Sequence, residues 1–219
     1  MEAVGTKEKV VDAAVSLFNT KGYHGTSVRE IAKKAGVNVA LISYYFKGKQ
    51  GLLEHLMSSF FEGYIEKLEQ ACLKIHTLTV RECMLNAIVD LLSYQHEHNR
   101  LARIVHRETT IDTVLIREIM TIYLRKENYY WQKLLEYGFK KGEFKRRAID
   151  LAVMQLKGMI TMPFIHPQYL QEILQLSPSD NHFIKRYAKF MSHWVDQHLC
   201  QTEISENKTA QVYSFTAVP

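Results

Sequence analysis

An all-α fold is what this sequence predicts, and three observations carry it. Proline and glycine, four and ten among 219 residues, are too few to interrupt the chain often. Apolar residues recur at i, i+3, i+4, i+7 through most of its length. Two capping boxes, Ser27-Val28-Arg29-Glu30 and Thr79-Val80-Arg81-Glu82, each precede such a run. Neither strand-like alternation nor an internal repeat is visible.

The first helix is expected to be capped by Thr6, to carry Val11, Ala14, Val15 and Phe18 on one face, and to end at Gly22. The second opens at the Ser27 box, buries Val28, Ile31, Ala32 and Ala35, and stops at Gly36 after barely two turns. Asn38 caps a third, which runs to Phe46 before Lys47-Gly48. Three short helices, the last two joined by a tight glycine turn, have helix-turn-helix arithmetic. From Lys49 one apolar stripe continues to about Ile75, and the Thr79 box opens a helix to about His96. A short helix near residues 99–108 follows, then a long one capped by Asp112 and ended by Gly142. The next is expected from Ala148 to Thr161, stopped by Met162-Pro163, with a turn of helix near 168–175. A last helix runs from about His182 to Leu199, and residues 201–219 read as a frayed or disordered tail. The domain division that follows is 1–48, 49–200 and the tail.

Charge is uneven along this series. The first fifty residues hold eight Lys/Arg against four Asp/Glu, while the formal net charge of the whole chain is +5. A positive surplus there suggests an anionic partner, nucleic acid or membrane surface, with a merely solvated basic face as the alternative. On a wheel of about 100° per residue the third helix separates cleanly. Ile42 and Phe46 face inward; Ala40, Ser43, Tyr44 and Lys47 face outward; Val39 lies on one flank and Leu41 and Tyr45 on the other. An outer face that is small and polar, with one aromatic and one lysine, suits a groove about as wide as a helix. Thr26 and Ser27 would offer hydroxyls and backbone N–H groups to one phosphate, and Lys49 would reach a second.

The segment from Thr26 to Lys49 resembles the TetR family of bacterial DNA-binding regulators. Thr26, Ile31-Ala32, Ala35-Gly36-Val37, Asn38, Ile42, Tyr45-Phe46 and Lys49 stand at that family's spacing, and this covers about a quarter of the chain. Two positions depart: Ala40 stands where the family usually has Gly, and Ser43 where it usually has Tyr. The first limits how closely the helix approaches DNA, and the second shifts weight onto Tyr44. The resemblance implies an N-terminal helix-turn-helix DNA-binding domain and a C-terminal helical regulatory and dimerisation domain. It gives Tyr45 and Lys49 contacts to the DNA backbone, and Val39, Ala40, Ser43 and Tyr44 the groove. It also implies a homodimer on a palindromic double-stranded site, cytoplasmic and nucleoid-associated. A narrower resemblance, to a sporulation-linked branch, is carried by NVALISYYFKGKQGLLEHL, LLSYQHEHNR and TIDTVLIREIM (38–56, 91–100, 110–120). It would imply a few chromosomal sites near the replication origin and an influence on assembly of the division protein FtsZ.

Beyond the helix-turn-helix, three groups of residues invite a role. Arg100, Arg103 and Arg107 line one face of the short sixth helix, with Arg117 on the next. They form a surface for a protein partner, or a solvated face paired with Glu97 and Glu108. Phe183, Tyr187, Phe190 and Trp194 make a broad aromatic face on the last helix, serving a dimer interface or burial within the subunit. Met120, Tyr123, Tyr130, Trp131, Met154, Met159 and Met162 line an effector pocket or simply fill the core.

Other classes are disfavoured. Cys72, Cys83 and Cys200 have no CxxC spacing, and His96, His98 and His106 form no ligand set, so no metal or cofactor is expected. The run 151–165 is broken by Lys157 and Pro163 and is too short for a membrane span, and no signal-peptide core is seen. With no nucleophile–base pair or phosphate loop, an enzyme is not expected, and a soluble cytoplasmic protein is.

Overall fold

The computed structural model describes residues 2–111 and 113–201. Helices run in the order α1 (Glu2–Lys21), α2 (Val28–Ala35), α3 (Val39–Phe46), α4 (Lys49–Leu73), α5 (Val80–Glu97), α6 (Asn99–Thr109), α7 (Val114–Lys141), α8 (Ile149–Ile165), α9 (Pro167–Glu172) and α10 (Asn181–His198). Among the described residues the sole β feature is an isolated antiparallel bridge between Phe144 and Cys200.

Local chemistry sets most of these boundaries. Both expected capping boxes close: Ser27 and Thr79 accept from the N–H of Glu30 and Glu82, whose carboxylates accept from the cap N–H in return. Gly36, at φ 67, supplies the left-handed turn after α2. α1 begins before Thr6, because Glu2, Ala3 and Val4 are compatible with helix and nothing forces a start at the threonine. The expected cap Asp112 lies outside the described residues, and the side chain of Thr113 caps α7 by accepting from Ile116 N–H. The expected tail lies almost wholly outside them; at its edge Gln201 N–H donates to Glu143 O.

Pro163 does not end α8, contrary to expectation. A proline within a helix orphans the carbonyl four residues back, here that of Met159. The Tyr187 hydroxyl, from α10, donates to that carbonyl at 2.8 Å. The lost backbone bond is replaced, so α8 continues to Ile165.

α4 is the central element, packed against α3 at its start and α5, α6 and α7 along its length. Its Leu52, Leu56, Phe60, Tyr64 and Leu68 join Leu91, Trp131, Leu135 and Leu156 in one core. α10 lies along α5, where Arg81 grips Asp196 with Nε and Nη2 at 2.6 and 2.9 Å. α7 approaches its own C-terminal loop through Gly138, where an added Cβ would stand 2.2 Å from the buried Phe144 ring. Gly138→Ala should gain up to about 1 kcal/mol of helix propensity and lose more to overpacking. Urea unfolding is expected to show net destabilisation of about 1–2 kcal/mol.

Candidate nucleic-acid interface

The corner between α1 and α2 is built from the inside. Thr26 is 1% exposed, and its hydroxyl donates to the carbonyls of Gly22 at 2.8 Å and Leu17 at 3.4 Å. The Lys49 ammonium donates to Tyr23 O at 3.1 Å and Thr26 O at 2.9 Å, and sits 4.4 Å above the Tyr23 ring. Tyr23 in turn meets Phe18 edge-on at 5.5 Å. This revises the parts expected of two residues. The Thr26 hydroxyl faces carbonyls rather than solvent, and Lys49 fastens the corner from the first turn of α4.

Ser27 is exposed, but its hydroxyl is committed to Glu30 as donor and acceptor, and its N–H donates to the same carboxylate at 2.8 Å. The Glu30 carboxyl is held down to about 2, first by Lys21 Nζ at 2.6 Å and then by the Ser27 bonds. Arg29, in the first turn of α2, is exposed, as are Lys33 and Lys34 in its last turn. Sequence reading passed over Arg29 because it lies inside the capping box.

α3 carries the outward strip. Asn38 caps it by accepting from Ala40 N–H at 2.8 Å. Ile42 and Phe46 are buried, and Phe46 meets the ring of His55 from α4 at 5.3 Å. Val39, Ala40, Ser43, Tyr44 and Lys47 are exposed, Tyr44 at 80%. Tyr45 is half-buried, edge-on to Tyr44 at 5.2 Å and to Phe46 at 6.4 Å. The helix closes on Lys47 in the left-handed region (φ 58), its N–H donating to Ser43 O, and Gly48 at φ 100 turns the chain into α4. The side chain of Lys47 is thereby presented at the end of the strip.

The arginines of α6 are all exposed but differ in what they touch. Arg107 Nη2 donates to Phe18 O at 2.8 Å and its Nε pairs with buried Glu108 at 3.1 Å. Asn19 Nδ2 donates to Arg100 O at 2.8 Å, so α6 clasps the end of α1 twice. The side chain of Arg100 lines an open groove with Lys9, Asp12 and Lys34; Arg103 is exposed; Arg117 lines a separate cavity.

That cavity, of about 390 Å³, lies among α4, α6, α7 and α8. Its walls include Phe61, Ile116, Met120 and Leu124, and its polar end holds Tyr64, His106, Glu127 and Lys157. Glu127, buried, accepts from the Tyr64 hydroxyl at 3.2 Å and from Lys157 Nζ. His106 Nε2 meets Gln95 Oε1 at 2.7 Å, and burial followed by the charge of Lys157 pushes its pKa down to about 4. Of the aromatic and methionine residues expected to line a pocket, Met120 does so. Trp131 is wholly buried, and Met154 is 63% exposed outside the cavity lining.

The expected aromatic face of α10 also divides. Phe183 is buried in its own subunit, Tyr187 and Trp194 are half-buried, and Phe190 is 60% exposed. Phe183, Tyr187 and Phe190 stack successively at 5.5 and 6.3 Å. A second stripe accompanies them on α8: Leu151, Met154, Gly158 and Ile165 are exposed, with Met162 half-buried between the last two. Its i, i+3, i+7, i+11, i+14 spacing was present in the sequence, masked by the expectation that Pro163 ends the helix.

Comparison with known proteins agrees with this geometry. The family model described as bacterial regulatory proteins, tetR family, matches residues 10–56. The probable HTH-type transcriptional regulator YttP of Bacillus subtilis is 50% identical over 192 residues, 88% of this chain and 93% of that protein. Among solved structures, the TetR family regulator PfmR of Thermus thermophilus superposes with a TM-score of 0.73 at 16% identity, covering 88% of this chain and 99% of that one. FadR of Bacillus subtilis, solved in complex with stearoyl-CoA, gives 0.68 at 22%, covering 85% and 97%.

Proposed function

The chain belongs to the TetR family of bacterial regulatory proteins, and from that premise we propose that it works as a homodimer reading a palindromic DNA site through α3. The observation that carries this reading is the strip Val39, Ala40, Ser43, Tyr44 and Lys47, exposed on a helix anchored by buried Ile42 and Phe46. Such a strip enters a major groove without disturbing the core beneath it. Arg29 and Lys47, both exposed, are the cations this reading assigns to phosphates beside the groove. The exposed α8 stripe with Phe190 of α10 supports dimerisation, because a row of this kind is costly to leave in water. A two-fold axis through it would repeat the two recognition helices on one face of the duplex.

Fluorescence anisotropy against genomic fragments tests the proposal: a steeply salt-dependent preference for a palindrome is expected, and sequence-independent binding alone would sink it. Within that assay the two tyrosines should separate. Tyr44→Ala is expected to narrow the gap between specific and non-specific binding by about 1–3 kcal/mol, the range for a base contact. Tyr45→Ala is expected to weaken all duplexes alike.

The three segments noted above resemble the sporulation-linked regulator RefZ, and support a finer reading: binding at origin-proximal sites and modulation of FtsZ assembly. Arg100 and Arg103 are the exposed members of the α6 set that do not hold α1 through their side chains. Replacing both with Ala should preserve operator affinity and abolish any effect on FtsZ polymerisation. Loss of DNA binding instead would make the pair structural.

A second reading, a repressor released by a small molecule, is favoured by the 390 Å³ cavity. α4 and α6 both wall it, and both hold the α1–α2 corner, through Lys49 and Arg107. A ligand that displaced either helix would disturb the seat of the recognition helix. A thermal-shift screen followed by operator release is the test.

A further inference from the structure

The polar end of the cavity has more hydrogen-bond donors than the protein uses. Each oxygen of Glu127 already accepts a bond, one from Tyr64 and one from Lys157. The Lys157 ammonium has three N–H groups and directs one of them to Glu127. Its side chain stays 39% exposed on the cavity side of a carboxylate that is 6% exposed. Gln95 donates through Nε2 to Ile160 O, so its Oε1 must accept from His106, which places the imidazole proton on Nε2. His106 is therefore a neutral wall and not a competing cation. Arg117 adds a second positive group to the lining, and the rest of the wall, Phe61, Ile116, Met120 and Leu124, is apolar.

We propose that the cavity takes an amphiphilic carboxylic acid, its chain along Phe61 and Met120 and its carboxylate on Lys157. This rests on the ligand-responsive reading above and gives its small molecule an anionic head. A neutral head group would leave the remaining Lys157 donors poorly matched in a partly desolvated site. An ammonium head would meet the like charge of Lys157. A carboxylate accepts charge-assisted bonds from Lys157 and competes with Glu127 for it. That competition gives the proposal its signature: removing the charge of Glu127 frees Lys157 for the ligand.

The experiment is calorimetric titration of the full chain with decanoate, n-decanol and decyltrimethylammonium at monomeric concentrations. Decanoate is expected to bind most tightly, Lys157→Met to weaken it at least tenfold, and Glu127→Gln to tighten it severalfold. Opposite effects from the two partners of one ion pair are not what a purely structural role produces, since loss of either partner would then loosen the site. Tighter binding of decanol or of the cation overturns the carboxylate assignment while leaving a ligand site in place. So does decanoate binding that is indifferent to Lys157→Met. Failure of all three probes to bind the wild-type chain overturns both the ligand class and the ligand-responsive reading.

Discussion

Lys49→Met is expected to lower the unfolding free energy by about 3 kcal/mol, since bonds to a charged donor contribute about 1.5–3 kcal/mol each and Lys49 makes two of them to carbonyls. Methionine keeps the aliphatic stem over Tyr23 but has no N–H, so Thr26 O loses the Lys49 bond and Tyr23 O keeps only the one from Thr26 N–H at 3.2 Å. Urea unfolding measures the loss. The same variant distinguishes a fastener from a phosphate contact. A lysine that neutralises a phosphate lowers the salt slope of DNA binding by about 1 when removed. Lys49→Met should weaken binding to every duplex, through a loosened corner, with the slope unchanged. Lys47→Met should do the reverse, lowering the slope with little change in stability. A reduced slope and unaltered stability in the Lys49 variant would return it to the phosphate role.

Acid should destabilise this protein through His106. Its folded pKa of about 4 lies below the ordinary 6.5, because the imidazolium is disfavoured by burial and by Lys157. Below pH 6.5 the unfolded chain takes up a proton that the native state refuses until about pH 4. The stabilisation is therefore complete above 6.5, is lost as pH falls through this window, and is absent below it. A shift of this size is linked to about 3 kcal/mol. Unfolding free energies at pH 7.5 and 4 should differ by about that much more in the wild type than in His106→Gln, which cannot titrate. Equal pH dependence in the two proteins would place the acid-sensitive group elsewhere. Comparing the two removes the contribution of the carboxylates they share.

Features whose causes lie within a few residues were legible in the sequence. The Ser27 and Thr79 boxes, the Asn38 cap and the Gly36 turn follow from side chains reaching their own backbone. The outward strip of α3 follows from helical periodicity alone, and Tyr44 stands where the wheel put it. Tyr45, the next residue, is turned by 100° and lands half-buried beside Phe46.

What was not legible depended on partners far along the chain. Thr26 and Lys49 have the residue types of phosphate contacts, and only the fold of the α1–α2 corner puts backbone carbonyls within their reach. Arg107 shares a helical face with Arg100 and Arg103, yet its guanidinium meets Phe18 O from a helix 89 positions earlier. Pro163 reads as a stop until Tyr187 supplies the bond its ring displaced. The ion pair of Glu127 and Lys157 likewise joins helices whose approach no local pattern announces. Helical segments and the outward face of a single helix are readable from the chain alone, because caps and periodicity act over a single turn. Whether a polar group faces a carbonyl, a carboxylate or open space is set by packing, because those partners exist only once distant helices have come together.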